Sequence, residues 1–186
     1  MRTILPEKKN PTLRNTAGEI ARNEIFGNSI QTLIREMRAL LSKEDHGVAL
    51  AAPQVGESLR LFVVSGRALA RGGRNAPDEK RDEMSSHRIE EGSVADQVYI
   101  NPVLLKMSRG RKGKHEGCLS IRGKWGIVPR AEKAMIRALD ENGQEFTRGA
   151  SGFLAHIFQH EMDHLDGILY TDKATDVYDD KPEKTS

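Results

Sequence analysis

The chain has 186 residues, of which 37% are hydrophobic and 30% are charged, and its 29 basic residues face 27 acidic ones. This length predicts one domain with a core that needs no disulfide bonds, and the net charge of +2 is too small to indicate specific nucleic-acid binding. A single cysteine excludes an internal disulfide and is typical of a reducing compartment. No apolar run suits a membrane span or a signal peptide, so we expect a cytoplasmic protein without a membrane partner.

The first half of the chain predicts a helix followed by short strands. Apolar residues recur at helical spacing over 29–42, and Ser29 is the expected N-cap. A stretch of small residues, 47–54, comes next and contains a proline. Residues 59–64 and 98–100 form short apolar runs with Val, Ile, Phe and Tyr, which predict strands.

The segment 65–97 between these two strands has a different composition. It contains two adjacent glycines, a proline and a run of six charged residues, and it has almost no aromatic residues. Such a composition predicts a solvated loop rather than a packed element. We therefore interpret 65–97 as a charged loop insert.

The second half of the chain predicts a β-hairpin and then a second helix. Strands are expected at 134–138 and 145–146, with a turn between them that contains Asn-Gly. Ser151 is the expected N-cap of the helix, which should end near 165–167. Short antiparallel strands around this central helix predict an α+β fold. The domain should cover 1–171, and 172–186 should form a polar, flexible tail.

The second helix carries His160-Glu161-Met162-Asp163-His164, which is an H-E-x-x-H pattern. Residues four apart share one face of a helix, so the two imidazoles can bind one metal ion. Glu161 lies beside them as a candidate base for water. The pattern alone is equally compatible with two histidines that only pack in or beside the core.

A third ligand would decide between these interpretations. The metzincin pattern requires a histidine where this chain has Tyr170, and a thermolysin-like site would need Glu183, the only glutamate after His164. Cys118 remains, and a thiolate with two imidazoles leaves one tetrahedral position open for water. A lone cysteine can also be an inert buried thiol.

Three further residues are candidates for positions in or around the site. His156 lies eight residues from His164, roughly 12 Å along a helix axis, so it should line a pocket or pack above the site instead of binding the same ion. The backbone N–H of Leu119 and the side chain of Gln54 could both donate to an oxyanion. Gln54 could otherwise be a surface residue that follows a proline turn.

Three segments in order resemble the peptide deformylase family: a small-residue stretch ending in Gln (47–54), E-G-C-x-S (116–120) and H-E-x-D-H (160–164). The resemblance implies a single deformylase-like catalytic domain over 1–171. It also implies a hydrolase of protein biosynthesis that removes the N-formyl group from the formylmethionine of newly made polypeptides and releases formate. Its partners would be N-formylmethionyl peptides, nascent chains and, transiently, the ribosome.

The resemblance also implies a role for each matched residue. Cys118, His160 and His164 would bind one divalent ion, natively Fe²⁺, with Zn²⁺, Ni²⁺ or Co²⁺ as substitutes. Glu161 would move the proton, while Gln54 and the Leu119 N–H would stabilise the oxyanion. Substrate-binding positions would be Gly47, Val48, Ala49, Glu116, Gly117, Phe153, His156 and Ile157. Glu116 has a second possible role, which is to orient a metal ligand.

The chain departs from the family at four of its positions. Ala49 replaces a usual glycine, Arg122 and Trp125 replace proline and arginine, and His156 places a polar ring in a pocket wall. These departures keep open a catalytically altered or inactive deformylase-like metal-binding protein. An H-E-x-x-H endopeptidase is a third hypothesis.

Overall fold

The computed structural model describes residues 2–72 and 94–180. Its helices are α1 (Asn28–Leu41), α2 (Gly66–Gly72), α3 (Gly152–Leu165) and α4 (Tyr170–Lys173). Its strands are β1 (Ala49–Ala51), β2 (Leu61–Val64), β3 (Gln97–Met107), β4 (Arg111–Cys118), β5 (Ile121–Ala131), β6 (Lys133–Leu139), β7 (Glu145–Ser151) and β8 (Asp176–Asp179). None of the helices in these two ranges is long and apolar enough to span a membrane.

The strands form two antiparallel sheets, one of five strands in the order β1-β2-β3-β6-β7 and one of three in the order β4-β5-β8. Successive side chains of a strand point to opposite faces, and β2 follows this rule. Phe62 and Val64 pack with α3, whereas Leu61 and Val63 pack with α1. The larger sheet therefore has one helix on each face, and the predicted α+β class is confirmed.

Helix α3 also lies against the smaller sheet. The side chain of Gln159 accepts a hydrogen bond from the backbone N–H of Ala131 on β5 and donates one back to its carbonyl, both at 2.9 Å. Because α3 has a sheet on either side, its polar residues Gln159, Glu161 and Asp163 are buried with its apolar ones. This placement brings the H-E-x-x-H residues into a largely dry environment.

Both predicted helices are confirmed, with one correction. Helix α1 begins at Asn28 and its N-cap is Gly27, so Ser29 lies in the first turn and was wrong as the cap. Ser151 is the N-cap of α3, although its side chain makes no capping hydrogen bond. Apolar periodicity located the helix bodies because each helix packs on a sheet, but it does not fix the terminal residue.

The predicted loop at 65–97 is wrong at its start. Gly66–Gly72 is helix α2, and Ala68 and Leu69 are buried in the core beside α3. This helix forms because an Ala-Leu-Ala sequence can cover the apolar face of α3, a tertiary contact that composition alone does not reveal. The charged run of the insert lies in 73–93, which is outside the described residues.

The predicted flexible tail is wrong between residues 172 and 180. Helix α4 extends to Lys173, and β8 pairs with β5, with Trp125 opposite Tyr178. The tail is ordered because β8 supplies hydrogen bonds to an edge of the smaller sheet. The β4–β5 hairpin was not predicted either, since its strands are rich in glycine and charged residues and show little apolar alternation.

Candidate active site and metal centre

The three predicted metal ligands come together where β4 ends beside α3. Cys118 is the last residue of β4, while His160 and His164 lie on consecutive turns of α3. One ligand atom from each of the three lies within 4.8 Å of the other two, and Cys118 Sγ is 3.2 Å from His164 Nε2. A thiolate and two imidazoles at this spacing fit a single divalent transition-metal ion.

Glu116 fixes the orientation of the His160 ring. His160 Nδ1 lies 2.8 Å from Glu116 Oε2, and a carboxylate only accepts hydrogen bonds, so Nδ1 must carry the hydrogen. Nε2 of His160 is then left with a lone pair for an ion. Outer partners of this kind set the tautomer and direction of metal-binding histidines.

Glu116 is itself held as a buried carboxylate. Arg130 donates two parallel hydrogen bonds to it, from Nε at 2.6 Å and from Nη2 at 3.0 Å. Burial alone would raise the pKa of Glu116, but the hydrogen bonds from Arg130, His156 and His160 outweigh it and hold that pKa well below its usual range. The group is therefore an anion at every working pH.

The buried charges continue beyond Arg130. Arg130 Nη1 donates to Asp163 Oδ2 at 2.7 Å, and Lys173 Nζ donates to Asp163 Oδ1 at 2.6 Å. The side chains of Arg130 and Glu116 are 4% and 1% exposed. Water therefore stabilises neither charge, and each depends on the opposite charge of its partner. The sequence does not predict a role for Arg130 or Asp163, because a buried ion pair is recognisable only when both partners are known.

Glu161 is buried next to the ligands without a complete set of partners. Its Oε2 has no hydrogen-bond partner among the described residues. Burial raises the pKa of Glu161, against a smaller lowering effect of His160 and His164. A buried carboxyl group with an unpaired oxygen and a raised pKa is suited to accept and return a proton.

The side chain of Gln54 is directed at Cys118. Its Oε1 accepts a hydrogen bond from the Ala51 N–H at 2.8 Å, so its Nε2 points the other way and donates to Cys118 Sγ at 3.5 Å. The side chain is buried, which excludes the surface interpretation. Leu119 lies in the turn directly after Cys118. Its backbone N–H was predicted to donate to the oxyanion together with Gln54.

The predicted substrate-binding positions lie on three parts of the fold, which are β1 with the loop before it, the end of β4, and α3. Ala49 and the α3 residue Ile157 are buried in the same core cluster. Val48 and Phe153 are half-buried and pack against that cluster. Gly47 has no room for a side chain, because a Cβ there would lie 2.8 Å from Glu44 Cβ. Strand β1 is the terminal strand of its sheet, so within the described chain its outer edge has no strand partner.

Three of the departures from the family lie around the site. A Cβ on Gly117 would lie 3.3 Å from the ring of Trp125, so this ring covers the strand directly before Cys118. Arg122, near the start of β5, pairs with Glu44 at 2.7 Å and thereby connects this strand to the loop before β1. His156 lies 2.7 Å from Glu116.

The thiol of Cys118 should be ionised in the metal-free protein. Burial would raise its pKa, but the neighbouring His164 and His160 outweigh this effect and lower the pKa to about 5. Thiolate is the reactive form, so we expect alkylation of the apoprotein by iodoacetamide to fall off only as the pH drops through about 5. An ordinary thiol would lose reactivity below about 8.5. Bound metal should protect the thiolate, and a midpoint near that of a free thiol would contradict this prediction.

Comparisons with known proteins identify relatives of this chain. A family model described as "Polypeptide deformylase" matches residues 1–179. A peptide deformylase of Symbiobacterium thermophilum is 42% identical over 80% of this chain, which spans 57% of that relative. Peptide deformylase 1 of Clostridium perfringens is 40% identical over 79% of this chain and 82% of its own length.

Solved structures show the same fold. A peptide deformylase from Legionella pneumophila matches with a TM-score of 0.71 at 34% identity, over 94% of this chain and 86% of the other. Arabidopsis thaliana peptide deformylase 1B, in complex with an inhibitor, matches with a TM-score of 0.74 at 32% identity, over 94% and 82% of the two chains. On this evidence the chain belongs to the peptide deformylase family.

Proposed function

We propose that the protein removes the formyl group from N-formylmethionyl peptides and releases formate. The observation that carries this proposal is the close approach of Cys118, His160 and His164 beside the buried Glu161, whose Oε2 has no partner in the described chain. A site that only stores or displays a metal needs no such carboxyl group. Glu161 and Gln54 therefore favour an enzyme over an inactive metal-binding protein.

The metal would be held by Cys118 Sγ and by His160 and His164. A divalent ion in this donor set would leave a position for water and lower the pKa of that water. We propose ferrous iron as the native ion, as the family resemblance implies. Zinc, nickel and cobalt should bind the same donors. The affinity of a protein site for divalent first-row metals follows the Irving–Williams order, in which cobalt and nickel rank above ferrous iron, and thiolate and imidazole ligands also suit zinc.

Glu161 would carry the proton through the reaction. It would accept a proton from the attacking water and donate it to the amine that leaves as the formyl C–N bond breaks. Burial keeps its pKa raised, so the carboxyl group can perform both transfers. Glu116 is less suited to this role, because both of its oxygens already accept hydrogen bonds from Arg130.

Gln54 and the backbone N–H of Leu119 would stabilise the oxyanion. Removing one oxyanion donor usually lowers kcat about 10²–10³-fold, so we expect a loss of this size for Gln54→Leu. The control is Gln144→Leu, because Gln144 is exposed in a turn and its loss should not change kcat. A Gln54→Leu enzyme as fast as the parent would exclude this role, as measured by initial rates of formate release.

The substrate would bind as an added strand along β1. An extended peptide can pair with an open sheet edge, and the segment 47–49 leads into that edge. Val48, Phe153 and Ile157 would contact the methionine side chain, and Gly117 would face the peptide from β4. Nascent chains in the cytoplasm, met transiently at the ribosome, are the proposed natural substrates.

Product analysis tests the function against its alternatives. The metal-loaded protein is incubated with formyl-Met-Ala-Ser and, separately, with unformylated Met-Ala-Ser. We expect formate and intact Met-Ala-Ser from the first peptide and no change in the second. Cleavage inside the unformylated peptide would support an endopeptidase, and bound metal without any product would support an altered metal-binding protein.

A further inference from the structure

His156 lies one helical turn before His160, and its ring forms a hydrogen bond with Glu116. Its Nε2 is 2.7 Å from Glu116 Oε1, and its side chain is 13% exposed. Because Glu116 is an ion-paired carboxylate that can only accept, Nε2 must carry the hydrogen of the bond. The ring thus donates a hydrogen bond to Glu116. A residue that only formed the wall of an apolar pocket would not need to make such a bond.

Glu116 has no acceptor capacity left once His156 is counted. Its Oε1 accepts from Arg130 Nε at 2.6 Å and from His156, and its Oε2 accepts from Arg130 Nη2 at 3.0 Å and from His160 Nδ1 at 2.8 Å. A carboxylate offers about four lone-pair sites, and all four are used. The two histidines bind different oxygens, while Arg130 bridges both.

We propose that His156 is a positioning residue, which acts through Glu116 to hold the His160 ring in the direction that metal binding requires. Arg130 alone fixes one edge of the carboxylate. His156 adds a second bond to Oε1, so a rotation of the carboxylate that would release His160 must also break the bond to His156. The proposal rests on the metal site of the proposed function and does not depend on its reaction.

A residue that merely lined a pocket would behave differently. Leucine at position 156 would keep an apolar wall but would leave Glu116 Oε1 with Arg130 as its only partner in a buried place. Oε1 would keep the bond from Arg130 but lose the second of its two hydrogen bonds in a buried place, and the carboxylate would be freer to rotate away from His160. The consequence should appear at the metal, which leucine does not touch.

The test measures the affinity of the protein for Co²⁺ under anaerobic conditions, by competition with a chromophoric chelator. The visible absorption of the bound Co²⁺ is recorded in the same samples. Outer partners of metal ligands typically contribute 10–100-fold to affinity, and His156→Leu should lose about tenfold because it acts one bond further out. His156→Gln should retain affinity, because its amide nitrogen is as many bonds from Cα as the imidazole Nε2. The matched control is His115→Leu, since His115 is exposed and bonds to Tyr178 instead.

The outcomes separate this proposal from the proposed function. His156→Leu with parental Co²⁺ affinity and absorption, in a folded protein, would overturn the positioning role. If that variant does not fold, His156→Gln is compared with His156→Asn, whose amide is one bond too short, and equal affinities would overturn the proposal. Failure of the proposed function would instead appear in the parent protein, as bound Co²⁺ without formate release.

Discussion

Replacing Glu161 by glutamine is expected to lower formate release about 10²–10⁴-fold, the usual contribution of a general acid–base group. Glutamine keeps the shape of the side chain but cannot accept a proton. The effect should be on kcat, because Glu161 is not one of the three residues whose ligand atoms converge. Metal content, measured in parallel, should remain at one ion per chain.

The matched control for this change is Glu145→Gln on β7. Glu145 is exposed, so the same loss of charge there should leave the rate within about twofold of the parent. A Glu161→Gln enzyme that kept its metal and at least a tenth of parental activity would contradict the proton-transfer role. Loss of metal from this variant would instead place Glu161 among the groups that hold the ion.

Replacing Arg130 by methionine is expected to destabilise the apoprotein by about 3–5 kcal/mol, the cost of breaking a buried ion pair on one side. Methionine fills much of the space but leaves Glu116 without the partner that donates to both of its oxygens. Asp163 also loses one of its two cationic partners. The free energy of unfolding in urea measures the effect.

Arg122→Met is the control for this prediction. Arg122 also pairs with a glutamate at 2.7 Å, but its side chain is 64% exposed. Exposed ion pairs contribute about 0–1 kcal/mol, so the change in unfolding free energy should be small. Equal losses in the two variants would show that burial of the Arg130 pair does not determine its contribution.

The sequence predicted which three side chains converge as candidate metal ligands, because the signal of the two histidines is local. His160 and His164 share a helix face through their spacing alone, and Cys118 is the only cysteine. Helix α1 was predicted for a similar reason: Ile30, Leu33, Ile34 and Met37 are buried at the expected period. Such patterns work where one element meets one surface.

The sequence suggested that Glu116 could orient a metal ligand, but it did not reveal the other partners of this carboxylate. Its partners lie 14 residues away in Arg130 and 40 residues away in His156, and nothing in the local sequence distinguishes these side chains from solvated ones. The β4–β5 hairpin that carries Glu116 was also not predicted, because its burial comes from α3 and α4 rather than from its own apolar pattern. Long-range pairing of this kind needs the fold before it can be recognised.

The most direct test of the account is formate release from formyl-Met-Ala-Ser without oxygen, before and after the metal is removed with a chelator. We predict formate in step with Met-Ala-Ser from the protein loaded with ferrous iron or nickel, loss of release after chelation, and recovery when the metal is returned. No formate above the blank from a protein that holds one metal ion per chain would contradict the account.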